Sequence, residues 1–389
     1  MNTIFTHARA IVSFTIAFTL AVTITNNAQA NVIKQPPIIA KLQKLKQPLA
    51  KETNKWMKRW SGANLEDPGF VYTELSGSTE IYLKIRKIDK TDLVNGYKSY
   101  GTFVTGHGSS NPDTEIAYFN LAAILGHDDI MRPAARYSLG KKAVLGFKAL
   151  LEKEQATLEP GRRRDVRIPR LLDWLTKPPL LGGLKAKKHE SYAEYKFMAD
   201  IKPGAGRGEP FKNNPIIRAL QASNPQPIAN KKILLQTGYT GNLLQLAHEY
   251  SIIMTLDVIF QQWDRYNNTN IGLATDDTKL AHFYITDNGG ADMVDDRTDI
   301  TRNLNYFSRY DRQSIKKLKQ LYLFLINPTR GFMGYTNAEL FVADLGLYSE
   351  LKPAEYVRLL KRNLLLLLNH VTAVERKYGA NQVYLPDAL

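Results

Sequence analysis

This sequence of 389 residues contains no cysteine. Disulfide bonds, thiolate catalysis and cysteine-ligated zinc are therefore all excluded. The seven histidines are scattered without the spacing of a metal site, and the Gly-x-Ser-x-Gly elbow of serine hydrolases does not occur. A chain of this length can bury a large core, so its stability must come from packing.

Long apolar runs are also scarce, and the one near the N-terminus is typical of an export signal. Arg9 precedes a mostly apolar run over residues 10–24, and the small-x-small site Ala28-Gln29-Ala30 follows it. This order is that of a secretory signal peptide, and the run is shorter than the roughly 20 residues of a membrane-spanning helix. We expect cleavage after Ala30 and a periplasmic or secreted protein without a stable transmembrane anchor.

Acidic residues are few relative to basic ones, with 37 Asp and Glu against 52 Lys and Arg and a formal net charge of +15. A basic surface favours polyanionic partners. For an exported protein these include nucleotides, phosphosugars, lipopolysaccharide and acidic proteins, and we expect no nucleic-acid partner. Charge alone does not choose among them, and the oligomeric state stays open.

The pattern along the chain predicts an α+β protein with five parts. They are a signal peptide (1–30), a linker or N-terminal arm (31–60) with little packed structure expected over residues 31–50, a small lobe made of a β-meander and a helix (61–145), a loop-rich connecting region (146–235) and a mainly helical lobe (236–389).

The predicted small lobe contains three strands and one well-signalled helix. β-Branched and aromatic runs over residues 70–75, 80–88 and 97–104 predict a three-stranded antiparallel meander. The helix that follows begins at Asn111, a good N-cap, and ends at Gly126.

The predicted helical lobe has chemistry-bearing residues at two element ends. An apolar helix over residues 243–263 runs directly into Asp264-Arg265, and a short strand over residues 282–286 ends at Asp287-Asn288-Gly289. Helices around 311–326 and 353–377 close the chain.

Two stretches resemble the atypical secretory-pathway kinases grouped around the Golgi casein kinase and the glycan xylose kinase. Residues 114–126, followed by Arg132-Pro133, resemble the family's glutamate-bearing helix. Residues 256–266 resemble its Asp-Arg loop, and residues 285–289 resemble its Asp-Asn-Gly metal site. Bacterial kinase-like families such as HipA and CotH share the Asp-Arg and Asn parts. The resemblance implies a protein kinase-like fold with two lobes.

The resemblance also assigns roles to residues of the second lobe. Asp264 resembles the catalytic aspartate, and Arg265 is its structural neighbour. Asp287 resembles the metal-binding aspartate, although Asp-Asn-Gly is also a common turn. Kinases place an asparagine shortly after the catalytic aspartate as the second metal ligand, but Thr269 stands at the usual spacing. The nearest candidates are Asn270 and Asn268, and the ligand is expected at Asn270, which Ile271-Gly272-Leu273 follows as in the HipA pattern.

In the first lobe Glu115 resembles the helix glutamate that pairs with the lysine on the nucleotide phosphates. Two lysines compete for that partnership. Lys98, at the start of the third strand, fits the strand order of kinases better, and Lys84 in the second strand is the other choice. A convincing Gly-rich phosphate loop is missing; Ser76-Gly77-Ser78 fits a hairpin turn as well.

The resemblance therefore implies an exported kinase that takes ATP with Mg or Mn and phosphorylates a hydroxyl of a protein or glycan. The alternative is a catalytically inactive kinase-like module that binds a polyanion or a protein partner. The irregular asparagine spacing and the missing phosphate loop favour this alternative. A third interpretation, an α-rich polyanion-binding protein unrelated to kinases, also stays open, as do the acceptor, the donor and the final compartment.

Overall fold

A computed structural model describes most of the chain beyond the predicted signal peptide. The described residues are 32–76, 81–91, 96–106, 111–158, 163–195, 214–224, 228–235, 238–262, 265, 270–275, 277–291, 293, 304 and 307–387. The predicted signal peptide and Asp264 lie outside them.

The described strands form two sheets. The first sheet contains β1 (Phe70–Ser76), β2 (Tyr82–Ile88), β3 (Tyr97–Val104), β4 (Ala134–Ser138) and β5 (Leu181–Lys185). These strands are antiparallel in the order β1-β2-β3-β5-β4. The predicted three-stranded meander is confirmed as the first three strands, and β5 and β4 extend it.

The strands of the second sheet follow those of the first in the sequence. It contains β6 (Ala193–Glu194), β7 (Lys232–Leu234), β8 (Thr240–Asn242), β9 (Ile271–Thr275) and β10 (Ala281–Ile285). Their order is β6-β9-β10-β8-β7, and β9 and β10 form an antiparallel pair in which Ile271 lies opposite Ile285.

Helices make up most of the remaining described structure, so the predicted α+β class is confirmed. The α-helices are α1 (Pro37–Lys44), α2 (Lys51–Trp60), α3 (Pro112–Leu125), α4 (Lys141–Gln155), α5 (Arg163–Trp174), α6 (Pro215–Ala219), α7 (Leu243–Phe260), α8 (Arg312–Ile326), α9 (Ala338–Leu345), α10 (Pro353–Tyr378) and α11 (Ala380–Val383). Short 3₁₀ turns cover Asp128–Ile130, Asn288–Gly290 and Pro328–Arg330.

Helix α3 begins and ends where its capping residues predict. The Asn111 side chain accepts hydrogen bonds from the amides of Asp113 and Thr114, and Gly126 ends the helix with a left-handed φ of 94°. Every residue of α3 is buried. The helix is therefore packed on all sides, between the first sheet and the helices of the second lobe.

The N-terminal arm is folded, which differs from the prediction of little packed structure for residues 31–50. It forms α1 and α2, and its apolar residues, Trp56 and Trp60 among them, are buried. The Trp60 indole donates a hydrogen bond of 3.0 Å to the Tyr100 carbonyl on β3. The charged residues between these tryptophans obscure the helical pattern, because the buried face is narrow.

Of the described helices, α7 alone is long and apolar enough to cross a membrane. However, 94% of it is buried inside the protein. It therefore has the environment of a core helix, around which the second lobe is packed. Gln261 ends it in the left-handed region with φ 56°.

Candidate active site

The first turn of α3 and the Asp-Asn-Gly turn are in direct contact. The carboxylate of Glu115 accepts a hydrogen bond of 2.7 Å from the Gly289 amide through Oε2. The Asn111 amide donates to the Gly289 carbonyl at 2.8 Å. Two motifs that are far apart in the sequence therefore meet. The Glu115 side chain, which is 1% exposed, faces the Asp-Asn-Gly turn.

The lysine beside Glu115 is Lys185, the last residue of β5. Its Nζ lies 3.5 Å from Glu115 Oε1 and 3.9 Å from Asp287 Oδ1. The side chain is 2% exposed, and Nζ also lies 5.0 Å from the centre of the Tyr82 ring. One ammonium group thus bridges the helix glutamate and the aspartate of the Asp-Asn-Gly turn.

The expected pairing of Glu115 with Lys98 or Lys84 is not what the structure contains. Lys98 is exposed and lies opposite Lys87 on β2. The β3 residue opposite Lys185 is Thr102, which comes four residues after Lys98. That separation is roughly 13 Å along a strand. It is too far for Lys98 to reach Glu115.

Lys84 is closer to the site than Lys98, although it has another partner. It lies opposite Thr102 on β3, which in turn lies opposite Lys185 on β5. Residues opposite each other in a sheet project from the same face, so Lys84 and Lys185 share the face toward α3. The Lys84 ammonium forms an ion pair with Glu74 and is 41% exposed.

Sequence reasoning misses Lys185 because β5 has the composition of a loop. Its sequence, LGGLK, contains two glycines that normally indicate a turn. A Cβ on Gly182 would collide with the Phe103 ring and the Val104 carbonyl on β3. The glycines therefore permit close packing within a sheet, and only the apolar Leu181 and Leu184 on either side of them indicate a strand.

Asp287 has a strained backbone and an accessible carboxylate. Its φ of 58° and ψ of 50° are in the left-handed region. The Tyr82 hydroxyl donates to Asp287 Oδ1 at 3.2 Å, and the Gln262 side chain donates to the Asp287 carbonyl at 3.1 Å. The side chain is 37% exposed, whereas Lys185 and Glu115 are enclosed. The carboxylate thus borders the solvent-accessible space beside Lys185 and Glu115, called the cleft, where a ligand can reach it.

Arg265 is fully buried and forms hydrogen bonds with several elements of the second lobe. It forms a bidentate ion pair with Asp257 on α7, with nitrogen–oxygen distances of 3.0 to 3.2 Å. It also donates to the carbonyls of Asn270 and Thr286, at 3.1 and 3.2 Å, and to Asn288 Oδ1 at 2.8 Å. The guanidinium therefore connects the core helix, the start of β9 and the Asp-Asn-Gly turn.

A tyrosine from α3 completes this buried group. The Tyr118 hydroxyl donates a hydrogen bond of 2.7 Å to Asp257 Oδ1. Burial by itself would lower the pKa of Arg265, but Asp257 and Tyr118 raise it on balance, so the guanidinium stays charged. Burial raises the pKa of Tyr118, which therefore stays a hydrogen-bond donor.

The predicted metal ligands Asn270 and Asp287 lie at the same end of the β9–β10 hairpin. The Thr286 amide donates to the Asn270 carbonyl at 3.1 Å, and Asn270 is 1% exposed. Asp264, the predicted catalytic aspartate, precedes the buried Arg265 but lies outside the described residues. Of the predicted site residues, the structure therefore brings together Glu115, Arg265, Asn270 and Asp287.

The donor atoms at this end of the hairpin suit a hard divalent ion. Asp287 offers an accessible carboxylate, and the buried Oε1 of Glu115 accepts no hydrogen bond from the described residues. Oxygen ligands of this kind are those that Mg and Mn prefer. In the described part of the chain, no group of three or more His, Asp or Glu side chains is placed so that it could hold a metal ion by itself. A site that shares its ion with phosphates needs fewer protein ligands.

The similarity of this chain to known proteins lies in its structure. No protein-family model matches this sequence. No curated protein is similar to it at a significant level. Solved structures do match, at low sequence identity.

One match is a crystal structure of the Golgi casein kinase, with a TM-score of 0.50, 14% identity, and coverage of 92% of this chain and 88% of that chain. Another structure of the Golgi casein kinase, with Mn and ADP bound, has a TM-score of 0.48, 14% identity and coverage of 82% and 78%. Hydra Fam20 with sugar has a TM-score of 0.48, 10% identity and coverage of 82% and 90%.

The identities are too low to transfer an activity, but the first match extends over nearly the whole of both chains. It agrees with the two lobes described above and with the kinase family that the sequence motifs resemble. This chain therefore has the kinase-like fold of the Golgi casein kinase.

Proposed function

We propose that this chain is an exported kinase that transfers a phosphoryl group from ATP to a hydroxyl of a protein or glycan. The contact of Lys185 with both Glu115 and Asp287 carries this proposal. Phosphoryl transfer requires a cation on the phosphate tail, a carboxylate that orients the cation and a carboxylate that holds a metal. These three groups meet at one end of the cleft.

Each residue of the group has a task that its environment supports. Lys185 binds the phosphate oxygens, and the buried Glu115 carboxylate holds its ammonium in place beside the cleft. Tyr82 orients Asp287 through the hydrogen bond to Oδ1. Asp287 and Asn270 would hold Mg or Mn, which when bound supplies positive charge to the oxygens of the transferred group.

The acceptor side of the reaction is assigned to Asp264. In the proposed mechanism its carboxylate accepts the proton of the acceptor hydroxyl and orients that oxygen toward the phosphorus. Support comes from its neighbour Arg265, whose guanidinium donates hydrogen bonds to Asn270, Thr286 and Asn288 at the proposed metal-binding end of the β9–β10 hairpin.

The test is phosphoryl transfer from labelled ATP with Mn to acidic protein and glycan acceptors. We expect transfer by the wild type and its loss in Asp264→Asn and Asp287→Asn. Asp277→Asn is the matched control, because Asp277 is an exposed aspartate that pairs with Lys51 at the surface. It should retain full activity.

Three other results would distinguish the alternative functions. Binding of ATP and Mn without transfer to any acceptor would favour the inactive binding module. Transfer that survives Asp264→Asn would remove the catalytic assignment. Absence of nucleotide binding in the wild type would reject the kinase and leave a kinase-like fold with another ligand.

Export is tested on the chain itself. We expect the secreted or periplasmic form to begin at Asn31, as determined by intact mass. Replacement of Ala28 and Ala30 by bulky residues should retain the precursor, because signal peptidase requires small residues at these positions. A mature form that still carries Arg9 would contradict this assignment.

A further inference from the structure

We infer that Asp113 is the residue that holds α3, and with it Glu115, in the position that pairs with Lys185. It is a positioning residue, and the inference rests on the proposed function. Asp113 is 0% exposed and is used by neither the metal nor the nucleotide in the proposed mechanism. A buried carboxylate with no part in the chemistry needs another reason to be there.

The Asp113 carboxylate is surrounded by donors from the second lobe. Oδ2 accepts from the backbone amides of Tyr348, Ser349 and Glu350, at 3.0, 2.7 and 3.3 Å. The Tyr356 hydroxyl also donates to Oδ2, at 3.1 Å. Three consecutive amides that point at one carboxylate form an anion site, which here is filled by a side chain of the protein itself.

The other oxygen connects the same point to the first sheet. Oδ1 accepts from the Ser349 hydroxyl and from the Arg136 guanidinium on β4. Arg136 donates in addition to the Gly346 carbonyl at 2.7 Å. The carboxylate thus joins four elements: α3, β4, the segment that precedes α10, and α10 itself through Tyr356.

Asp113 and Glu115 act on opposite sides of one helical turn. Residues two apart are separated by about 200° around a helix axis. Asp113 therefore faces the segment 346–350, while Glu115 faces Lys185 and Gly289. A turn that is held from one side presents the other side in a fixed direction. The lysine–glutamate pair consequently exists without nucleotide, and α3 is not free to swing away from the cleft.

The first experiment does not depend on nucleotide. Asp113→Asn replaces an acceptor oxygen by an amide that meets the donors of 348–350, so it loosens the first turn of α3. Hydrogen exchange at the Gly289 amide reports on Glu115, because that amide donates to Glu115 Oε2. We expect exchange at Gly289 to accelerate toward the rate in Glu115→Ala.

Asn363→Ala is the control for a general loss of stability. It removes a buried hydrogen bond of 2.8 Å between α10 and the Ile259 carbonyl of α7, which involves neither Asp113 nor Glu115. Exchange at Gly289 should be unchanged in this variant. If Asp113→Asn does not fold, Tyr356→Phe removes one donor and should give a smaller acceleration. Unchanged protection of Gly289 in the folded Asp113 or Tyr356 variant overturns the inference.

The second experiment is a double-mutant cycle on the affinity for ADP with Mn. We expect Asp113→Asn alone to weaken binding about tenfold. In a chain that already carries Glu115→Gln, Asp113→Asn should have no further effect, because it acts through Glu115. Additive effects would mean a merely structural role and overturn the inference. If the wild type binds no nucleotide, the proposed function fails, and the exchange at Gly289 still decides the role of Asp113.

Discussion

Lys185 Nζ lies 3.9 Å from Asp287 Oδ1, although Lys185 ends a strand of the first sheet and Asp287 follows a strand of the second. Glu115 contacts the same lysine from α3. The candidate site therefore exists only where the two lobes meet. Three predictions test this arrangement and the packing around it, and a fourth tests the buried pair His248–Asp311, which is not part of it.

The identity of the nucleotide lysine can be tested by charge removal. Lys185→Met should abolish the thermal stabilisation by ADP with Mn, which at a hundredfold excess over Kd is about 2.7 kcal/mol. Lys98→Met should retain it, because Lys98 is exposed and far from Glu115. Each variant is compared with its own ligand-free form. Stabilisation that persists in Lys185→Met would contradict the assignment.

Arg265 should be irreplaceable even by lysine. Lysine cannot form the bidentate contact with Asp257 and at the same time donate to Asn270, Thr286 and Asn288, so buried acceptors would lose their donors in Arg265→Lys. We expect the free energy of unfolding in urea to fall by about 3–5 kcal/mol. Arg358→Lys, at an exposed position of α10, should change it by less than about 0.5 kcal/mol. Equal effects would show that Arg265 is not a structural anchor.

The close packing of β5 on β3 predicts a steric effect. Gly182→Ala introduces a methyl group that collides with Phe103 and Val104, and we expect a loss of about 1–3 kcal/mol in the free energy of unfolding. Gly69→Ala is the control, because a Cβ there meets no atom within 4 Å. Urea denaturation of both variants measures the difference. A neutral Gly182→Ala would mean that β5 can move away from β3.

The pair His248–Asp311 predicts a stability contribution that depends on pH. His248 Nδ1 lies 3.0 Å from Asp311 Oδ2, and Nε2 lies 2.7 Å from the Pro386 carbonyl, so both nitrogens face acceptors and must carry protons. Burial lowers the pKa of His248, but these hydrogen bonds outweigh burial and raise the pKa on balance.

Because the folded pKa is raised, this stabilisation is complete below the unfolded pKa of about 6.5 and is lost as the pH rises through the folded pKa. The free energy of unfolding of the wild type should therefore exceed that of His248→Asn by about 1.5–3 kcal/mol at low pH and by less at high pH. Denaturation at about pH 6 and about pH 9 measures this difference. A difference that grows with pH would contradict the prediction.

Local signals make several elements predictable. The N-cap Asn111 and the left-handed Gly126 bound α3 in the sequence and in the structure, because capping depends on residues that are neighbours in the chain. The meander β1–β3 is equally predictable, since alternation and turn residues are local. The motifs around Glu115, Arg265 and Asp287 also indicate the kinase-like fold, because each motif is a short run of neighbouring residues.

Other features depend on contacts between distant segments. The glycines of β5 suggest a loop because their partner, Phe103, is remote in the sequence. The helices of the arm are obscured because few of their residues face the core. Lys185 is not identifiable from the sequence, because β5, the strand that carries it, has the composition of a loop. Strand order alone favours Lys98 in its place.

The sequence by itself determined the predicted export signal, the secondary structure that caps and alternation specify, and the motifs that place this chain near the atypical kinases. Only the tertiary structure decided which lysine stands beside Glu115 and which donors surround Asp113, because both answers depend on a fold that joins β5, α3 and residues 346–350. Hydrophobic periodicity depends on residues that are close together in the sequence, whereas a buried charge pairs with a residue from a distant segment.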